Sequence, residues 1–582
     1  MAERPAGFGD RPFDMIVVGG GITGCGIARE AALRGLSVAL LEKDDFAGGT
    51  SSRSSRLIHG GVRYLEHGHF RLVFEASAER RRLLQLAPHL VQPLEFTWPV
   101  YTGARVPMWK LAAGLTLYDL LALFRNVGRH RRLRADAIRR EQPALRPDGL
   151  VGGATYYDAC TDDARLTLAV AMDARARGAV MMNHVRVTGL ITVSGRVAGV
   201  ETRDDLSGAT ERLAAGVVVN ATGPWSDALR RLEGPTTSTN VRGSKGVHIA
   251  VPRDRIGNKG ALTLLSPDDG RVMFILPHGT HTIIGTTDTF TAVPPDEIRA
   301  NEADVAYLLG AANAFFPGAG LVRDDVIAAW AGIRPRAAVD TGDSVAASRE
   351  HAVAVTPSGV VTITGGKLTT FRVMAADTVA IALRQLGRSA PRSRSESIPL
   401  AWDLTKSRET VVDDAMRVTG DASLALHLVA SYGCHWPSVW GAIQSETGGG
   451  ERIDPVLPYR LGELSYACRA EMACTLADLL IRRTRIAFET RDHGRSIAAR
   501  VAVHVAPLLG WSAAAIVAEI ERYERQIGMR GVTTPLEGGK EFVRYTATIR
   551  MHDYHWPPGI MDPADIIERF RGLGCDVSAW GA

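Results

Sequence analysis

Long apolar runs are missing from this chain. Its most lipid-like stretch, residues 111–124 (LAAGLTLYDLLALF), counts 14 residues, short of the roughly 20 that a helix needs to span a bilayer. The opening residues 1–12 are polar, carry glycine and proline and offer no apolar segment of signal-peptide length, so export is not expected. Paired cysteines are missing too. The six, Cys25, Cys160, Cys434, Cys468, Cys474 and Cys575, include no C-x-x-C and no adjoining histidine cluster. No disulfide framework or metal site is expected; reduced thiols in a cytosolic compartment are. A large charge imbalance is absent as well, 68 basic residues standing against 63 acidic ones for a net charge of +5. That is too little to argue for nucleic acid, and no nucleic-acid partner is expected, yet it suits an anionic substrate or an anionic membrane surface. Lysine is scarce, nearly all of the positive charge being arginine.

What is present reads as globular. With 582 residues, 46% hydrophobic and 23% charged, the chain exceeds what one core serves, and two or three domains are expected. Residues 13–18 (FDMIVV) form an apolar run too short for a helix and bounded by glycine, hence a buried parallel strand. Residues 22–34 should be a helix whose small residues, among them Gly24, Gly26, Ala28 and Ala31, face the sheet, with Gly35 as its stop. A second strand, residues 37–41, ends at Glu42. This is a βαβ unit, the scaffold of dinucleotide binding. Similar strands recur at 216–220 (GVVVN) and 360–364 (VVTIT), so the nucleotide-binding domain is expected to be assembled from distant segments. Between them, residues 185–200 with a turn at Gly195, and 272–286, have hairpin patterns suited to a sheet over the substrate. After residue 395 a linker, APRSRSESIPL, leads to stretches of helical length at 409–432, 463–482, 497–509 and 513–526.

The glycine turn GGGITG, residues 19–24, carries the first chemical signal. Gly19 permits the tight turn, Gly21 lets the backbone approach a diphosphate, Gly24 allows close helix packing, and the helix N-terminus offers N–H groups to the phosphates. Glu42, at the end of the next strand, is placed to accept both ribose hydroxyls. Beyond it, GGTSSRSS (48–55) and HGGVRYL (59–65) supply many donors past the adenosine site, which an extended flavin needs and a nicotinamide cofactor does not. NATGPW (220–225) and GGKLTTFR (365–372) follow strands and complete the pattern; a helix N-terminus at the second would stabilise a reduced flavin electrostatically.

Together GGGITGCGIAREAALRGLSVALLE, TSSRSSRLIHGGVRYLEH, NATGPW, AGIRPR and GGKLTTFR resemble the FAD-dependent, quinone-linked glycerol-3-phosphate dehydrogenases. The resemblance runs from about residue 14 to 372 and continues through LGELSYACRAEMACTLADLLIRRTRIAF. It implies an α/β protein with a Rossmann-like FAD-binding domain of the glucose-oxidase/D-amino-acid-oxidase type, a β-rich substrate cap and a helical C-terminal domain. The expected division is a tail at 1–11, FAD-binding segments near 12–95, 152–240 and 335–395, cap segments near 96–151 and 241–334, and the helical domain at 396–582. It implies oxidation of sn-glycerol 3-phosphate to dihydroxyacetone phosphate by hydride transfer to flavin N5, with electrons passed to a quinone. No insertion of the kind found in the related oxidases is seen, which favours dehydrogenase over a glycerophosphate oxidase using O2; an amine or amino-acid oxidase on the same fold is the other alternative.

By the same resemblance, Arg63, Tyr64, Arg334, Arg349 and Lys367 form the substrate pocket, arginine suiting a phosphate dianion through its planar fork. Arg334, Lys367 and His248 are the expected catalytic groups, His248 as general base because an unperturbed imidazole titrates near working pH. The expected FAD contacts are Gly19, Gly21, Ile22, Thr23, Gly24, Glu42, Lys43, Thr50, Ser51, Ser52, His59, Gly60, Gly61, Val62, Val185, Ala221, Thr222, Gly223, Trp225, Lys367, Leu368, Thr369 and Thr370. Residues 111–124 with the basic run RNVGRHRRLR (125–134) can lie on an anionic bilayer as a peripheral anchor at the inner face of the plasma membrane; the plain reading is a buried helix and a solvated loop. The C-terminal domain is expected to serve homodimerisation or membrane docking. MHDYHWPPG (551–559) is expected to seat a tail on the domain.

Overall fold

A computed structural model describes residues 12–528 apart from 124, 235–240, 338–350, 401, 403 and 405. The tail 1–11, Arg349, Cys575 and MHDYHWPPG therefore lie outside the described residues.

Strand β1 (Phe13–Val18) is buried along almost its whole length and leads through the glycine turn into helix α1 (Ile22–Leu33) and strand β2 (Val38–Leu41). β1 sits at the centre of an eight-stranded sheet, flanked in parallel by β2 and by the strand Thr210–Asn220. Val361–Gly365 continues the parallel run beyond Thr210–Asn220, and Val180–Met182 continues it beyond β2. Near-continuous apolar sequence is what strands covered on both faces require. The nucleotide-binding sheet is thus assembled from distant segments, as the strand pattern predicts. The hairpin expected at 185–200 is present as Val185–Val193 and Arg196–Asp204, on the edge of this sheet.

A second sheet of ten strands covers it. Its core is an antiparallel pair, β3 (Val241–Pro252) and β4 (Ala328–Ala337), beside the hairpin Val272–His278 and His281–Gly285. It also takes in Val91–Tyr101, Leu150–Thr161 and the two-residue strand Leu57–Ile58, so it extends beyond the cap segments expected at 96–151 and 241–334. Helices α2 (Phe70–Leu86) and α3 (Met108–Leu121) lie against this layer. The basic run is only partly a loop, because Arg131–Arg134 pairs with the strand Leu150–Thr161, whose edge was open to accept it. Helix α4 (Phe371–Gln385) returns to pack on α1, which Gly26 permits: a Cβ there would sit 2.8 Å from the Phe371 ring.

The described C-terminal part, up to residue 528, is helical, with two corrections to the expected helices. The stretch 409–432 is two helices, Arg408–Thr419 and Ala422–Tyr432, because Gly420 takes a left-handed φ of 68° and Asp421 caps the second helix by accepting from Leu424 N–H. The stretch 463–482 stops after Leu461–Ala470 and resumes as a π-helical turn, Asp478–Arg483. The Asp478 carboxylate, which accepts the amides of Cys474 and Thr475, holds the break open. This turn carries buried charges to the nucleotide-binding layer. Arg482 Nε meets Asp45 Oδ2 at 2.6 Å, Asp478 Oδ2 meets His184 Nε2 at 2.9 Å, and Arg485 forks onto Asp162 at 2.6 and 2.7 Å. Asp45, His184 and Asp478 cluster closely, and Arg482 and Arg483 neutralise the two carboxylates. The linker 390–400 is also anchored, Ser393 donating to Glu30 at 2.8 Å.

Candidate active site

Between the two sheets lies a cavity of about 210 Å³ whose wall combines segments hundreds of residues apart: Ile22, Thr50, Ser51, residues 53–55, Tyr64, Gly246, His248, Arg334 and 366–369. Its two ends are made differently.

At one end the backbone does the work. Gly19 has φ of 111°, and a Cβ there would stand 2.7 Å from Ala221 O, so the first turn and the NATGPW strand end approach each other only because both are small. A Cβ on Gly24 would stand 1.8 Å from Gly19 O. Ile22 N–H, at the opening of α1, donates to Ser51 Oγ at 3.0 Å, which puts the first free amides of the helix beside the serine run. Glu42 does not wait empty for a ribose: its Oε2 accepts from Gly20 N–H at 2.6 Å and its Oε1 from Asp44 N–H at 2.9 Å. Burial, reinforced by Asp44, raises its carboxyl to about 7. Val185 adjoins it, donating its N–H to Glu42 O at 2.8 Å. Lys43 and Trp225 converge on one carboxylate of the covering layer, Lys43 Nζ reaching Asp296 Oδ1 at 2.7 Å and Trp225 Nε1 reaching Oδ2 at 2.9 Å, with the Lys43 ammonium 4.7 Å over the indole. Thr222 donates to Asn220 Oδ1 at 2.7 Å. His59 N–H donates to Thr369 Oγ1 at 3.1 Å, tying the HGGVRYL segment to GGKLTTFR.

At the other end side chains from the covering sheet do the work. Register pairs Ser244 with Arg334, Gly246 with Gly332 and His248 with Trp330 across β3 and β4. Alternation puts these six on one face, and the glycine pair in the middle opens a hollow there. The Arg334 guanidinium fills part of it: a Cβ on Gly246 would stand 2.5 Å from its terminal nitrogens. Arg334 donates to Thr286 Oγ1 at 2.9 Å and Thr287 O at 3.2 Å, with Asp288 3.4 Å away, which fixes the fork while leaving the side chain partly open to the cavity. Lys367 Nζ lies 3.8 Å from the centre of the Tyr64 ring. Arg63 stacks on the same ring at 5.2 Å but is not part of the cavity wall.

His248 is buried and stacked on Trp330, the ring centres 5.5 Å apart, with Nε2 2.8 Å from Ser55 Oγ. Burial first, then Arg334 and Arg56, pushes its imidazole down to about 3. The ring is therefore neutral throughout the working range, whereas the general-base expectation assumed an unperturbed imidazole. Residues that sequence reasoning passed over include Ser55, which orients His248, Gly246 and Gly332, which make the hollow, and Phe274 in the wall. Ser55 was within the quoted serine run; the glycines had no local signal, since their importance comes from being opposite each other.

The fit to an extended dinucleotide rests on the cradle that side chains at Gly19, Gly21 and Gly24 would fill and on the open end of α1. Comparison with known proteins agrees. The FAD-dependent oxidoreductase family matches residues 14–372, and the C-terminal domain of alpha-glycerophosphate oxidase matches residues 395–516. Glycerol-3-phosphate dehydrogenase 2 of Mycobacterium tuberculosis is 41% identical over 527 residues, covering 89% of this chain and 88% of its own. Glycerol-3-phosphate dehydrogenase of Synechocystis is 37% identical over 528 residues, covering 88% and 95%. The crystal structure of glycerol-3-phosphate dehydrogenase from Bacillus halodurans complexed with FAD superposes with a TM-score of 0.76 at 31% identity, covering 91% of this chain and 97% of that one.

Proposed function

We propose, for a chain that belongs to the family of FAD-dependent glycerol-3-phosphate dehydrogenases, a division of labour within the cavity that accounts for its oxidation of glycerol 3-phosphate to dihydroxyacetone phosphate. Bound FAD supplies the two-electron acceptor. Arg334 holds the substrate phosphate, its fork already aimed by Thr286 and Thr287 and its charge only partly offset by Asp288. Lys367 stands on the Tyr64 ring and lowers the pKa of the carbinol hydroxyl. His248, neutral and oriented by Ser55, accepts a hydrogen bond from that hydroxyl. Arg63 supports Tyr64 from outside the wall.

The observation that carries this reading is the hollow on the β3–β4 face, with a cation at one end and a neutral imidazole at the other. Anaerobic addition of glycerol 3-phosphate should bleach the bound flavin's long-wavelength absorbance. No bleaching by this substrate, with bleaching by an amino acid instead, would sink the assignment.

Electrons leave, on this reading, to a membrane quinone, with the protein held peripherally on the inner face of an anionic membrane. A groove of about 400 Å³ runs between α2 and the end of α3, lined by Arg71, Phe74, Arg81, Arg82, Leu123 and Arg125. Phe70, Phe74, Leu120 and Leu123 are exposed around it. Apolar groups beside Arg71, Arg81 and Arg125 suit the headgroup boundary, while Glu79 in the same wall pairs with Arg82 and Arg372. No described helix is long and apolar enough to cross a membrane. The groove reaches Arg372, which closes the GGKLTTFR motif. Cosedimentation with anionic but not zwitterionic vesicles, lost in Phe74→Asp, is the expected result; equal sedimentation of both proteins removes the proposal.

A further inference from the structure

One cation in the cavity wall is left over once the substrate end has been accounted for. Arg53 lines the cavity two residues after Ser51, whose hydroxyl accepts from Ile22 N–H at the opening of α1. Its backbone is pressed against β4, where a Cβ on Gly332 would stand 3.0 Å from Arg53 O. Its Nε is buried and has no hydrogen-bond partner. The nearest acids are engaged elsewhere: Asp296 holds Lys43 and Trp225, and Asp44 lies 3.3 Å from Lys43. Arg482, a second buried cation nearby, adds repulsion, and burial together with that repulsion pushes the Arg53 guanidinium below its usual value.

A guanidinium drawn partly out of water without an ion pair of its own is expensive, because Asp44 and Asp296 attract it only as carboxylates already engaged by Lys43 and Trp225. A chain keeps such a group where a ligand brings the missing charge. The anion that belongs at the N-terminus of α1, beside Ile22 N–H and Ser51 Oγ, is a diphosphate. We propose that Arg53 is the counter-cation of the FAD diphosphate, a bidentate donor that works with the helix amides and is uncompensated until the cofactor is in place. The inference rests on FAD dependence and not on the roles given to Arg334, Lys367 and His248, so either can fail alone.

The proposal makes opposite predictions for the two states of the protein. Arg53→Gln should weaken FAD about 10- to 100-fold, the equivalent of one charge-assisted hydrogen bond, since the glutamine amide keeps a neutral donor toward the diphosphate. Arg53→Lys, which keeps the charge and loses the fork, should fall between. In the flavin-free protein the sign reverses, and Arg53→Gln should melt at a higher temperature than the parent because an unpaired buried charge has gone.

The test uses the full-length holoenzyme, stripped of flavin and titrated with FAD, with ADP, which carries the diphosphate without the flavin, and with riboflavin, which carries the flavin without the diphosphate. FAD and ADP should weaken by a similar factor and riboflavin should not change. Unchanged FAD and ADP binding with a raised KM for glycerol 3-phosphate would overturn the proposal and assign Arg53 to the substrate phosphate. Weakened riboflavin binding with unchanged ADP would overturn it in favour of a contact to the flavin ring. Should Arg53→Gln fail to fold, Arg53→Lys read with the same three probes decides the matter, an unchanged ADP affinity counting against the proposal.

Discussion

On the reading proposed above, the two ends of the cavity solve the same problem, recognition of phosphate, by different means. At the α1 end the recognising groups are mostly backbone: Gly19, Gly21 and Gly24 clear a path, and the amides after Gly21 point out of the helix. At the β3–β4 end it is a long side chain, Arg334, whose placement depends on a sheet register, with Lys367 held on an aromatic ring for the hydroxyl. A backbone site is written in neighbouring residues and tolerates no added atoms. A side-chain site is written in distant residues and fails one charge at a time. On the inference above, Arg53 adds a cation to the backbone end, which is why its loss is expected to weaken the cofactor rather than the substrate.

The sharpest way to break this contrast is Gly24→Val. A Cβ 1.8 Å from Gly19 O cannot be accommodated without moving the turn, and the purified protein should retain less than about a tenth of its flavin, steric overlap of backbone being the costliest kind. A variant that kept its flavin and its turnover would refute the backbone account. Next comes Arg334→Leu, which should leave flavin content unchanged and lower kcat/KM for glycerol 3-phosphate by roughly 10³-fold, two charge-assisted bonds being lost. If flavin binding fell with it, the two ends would not be separable.

Arg482→Ala, outside both ends, removes one cation shared by two buried carboxylates, Asp45 and Asp478, which keep Arg483 and His184. It should cost about 3–5 kcal/mol of stability, read as a lower melting temperature, with KM for the substrate unmoved in the protein that remains folded. A smaller effect is expected at Glu42, where the pH dependence has a definite sign. Its carboxyl is raised from 4.5 to about 7 in the folded protein, so its contribution to stability is complete below about 4.5 and is lost as pH rises through 7. Flavin-free Glu42→Gln should lack that component between these limits, which thermal melts at several pH values would detect. His248→Gln is the mildest change: a neutral ring replaced by a neutral amide should slow flavin reduction about tenfold, where loss of a true general base would cost 10²- to 10⁴-fold.

Local structure was legible where a feature is written contiguously. The strand, turn and helix from Phe13 to Leu33 follow from residue types alone, because a buried parallel strand must be apolar and a tight phosphate turn must be glycine. The Gly195 hairpin and the strand ends before NATGPW and GGKLTTFR followed from the same kind of pattern. Helix continuity was less legible. Gly420 and Asp421 were read through as helix, although a glycine followed by an acidic cap is a local stop signal. The break before Asp478 had no such signal, because a carboxylate accepting two amides is a tertiary arrangement as much as a local one.

The candidate site divides along the same line. Gly19, Gly21, Gly24, Glu42 and Ser51 announced a dinucleotide by order and spacing. Arg334, Lys367 and His248 were reached through resemblance, and nothing in their own neighbourhoods fixes what they do. By itself, then, the sequence determined that a dinucleotide is held and pointed to the glycine turn for its phosphates, since such a turn is written within one βαβ unit. Only the tertiary structure decided that Gly246 faces Gly332 to make a hollow and that His248 is buried between cations and stays neutral. It also decided that Arg53 stands in the wall with an unpartnered Nε. Register, burial and the balance of nearby charge are properties of surroundings brought together by folding, and no single stretch of chain contains them.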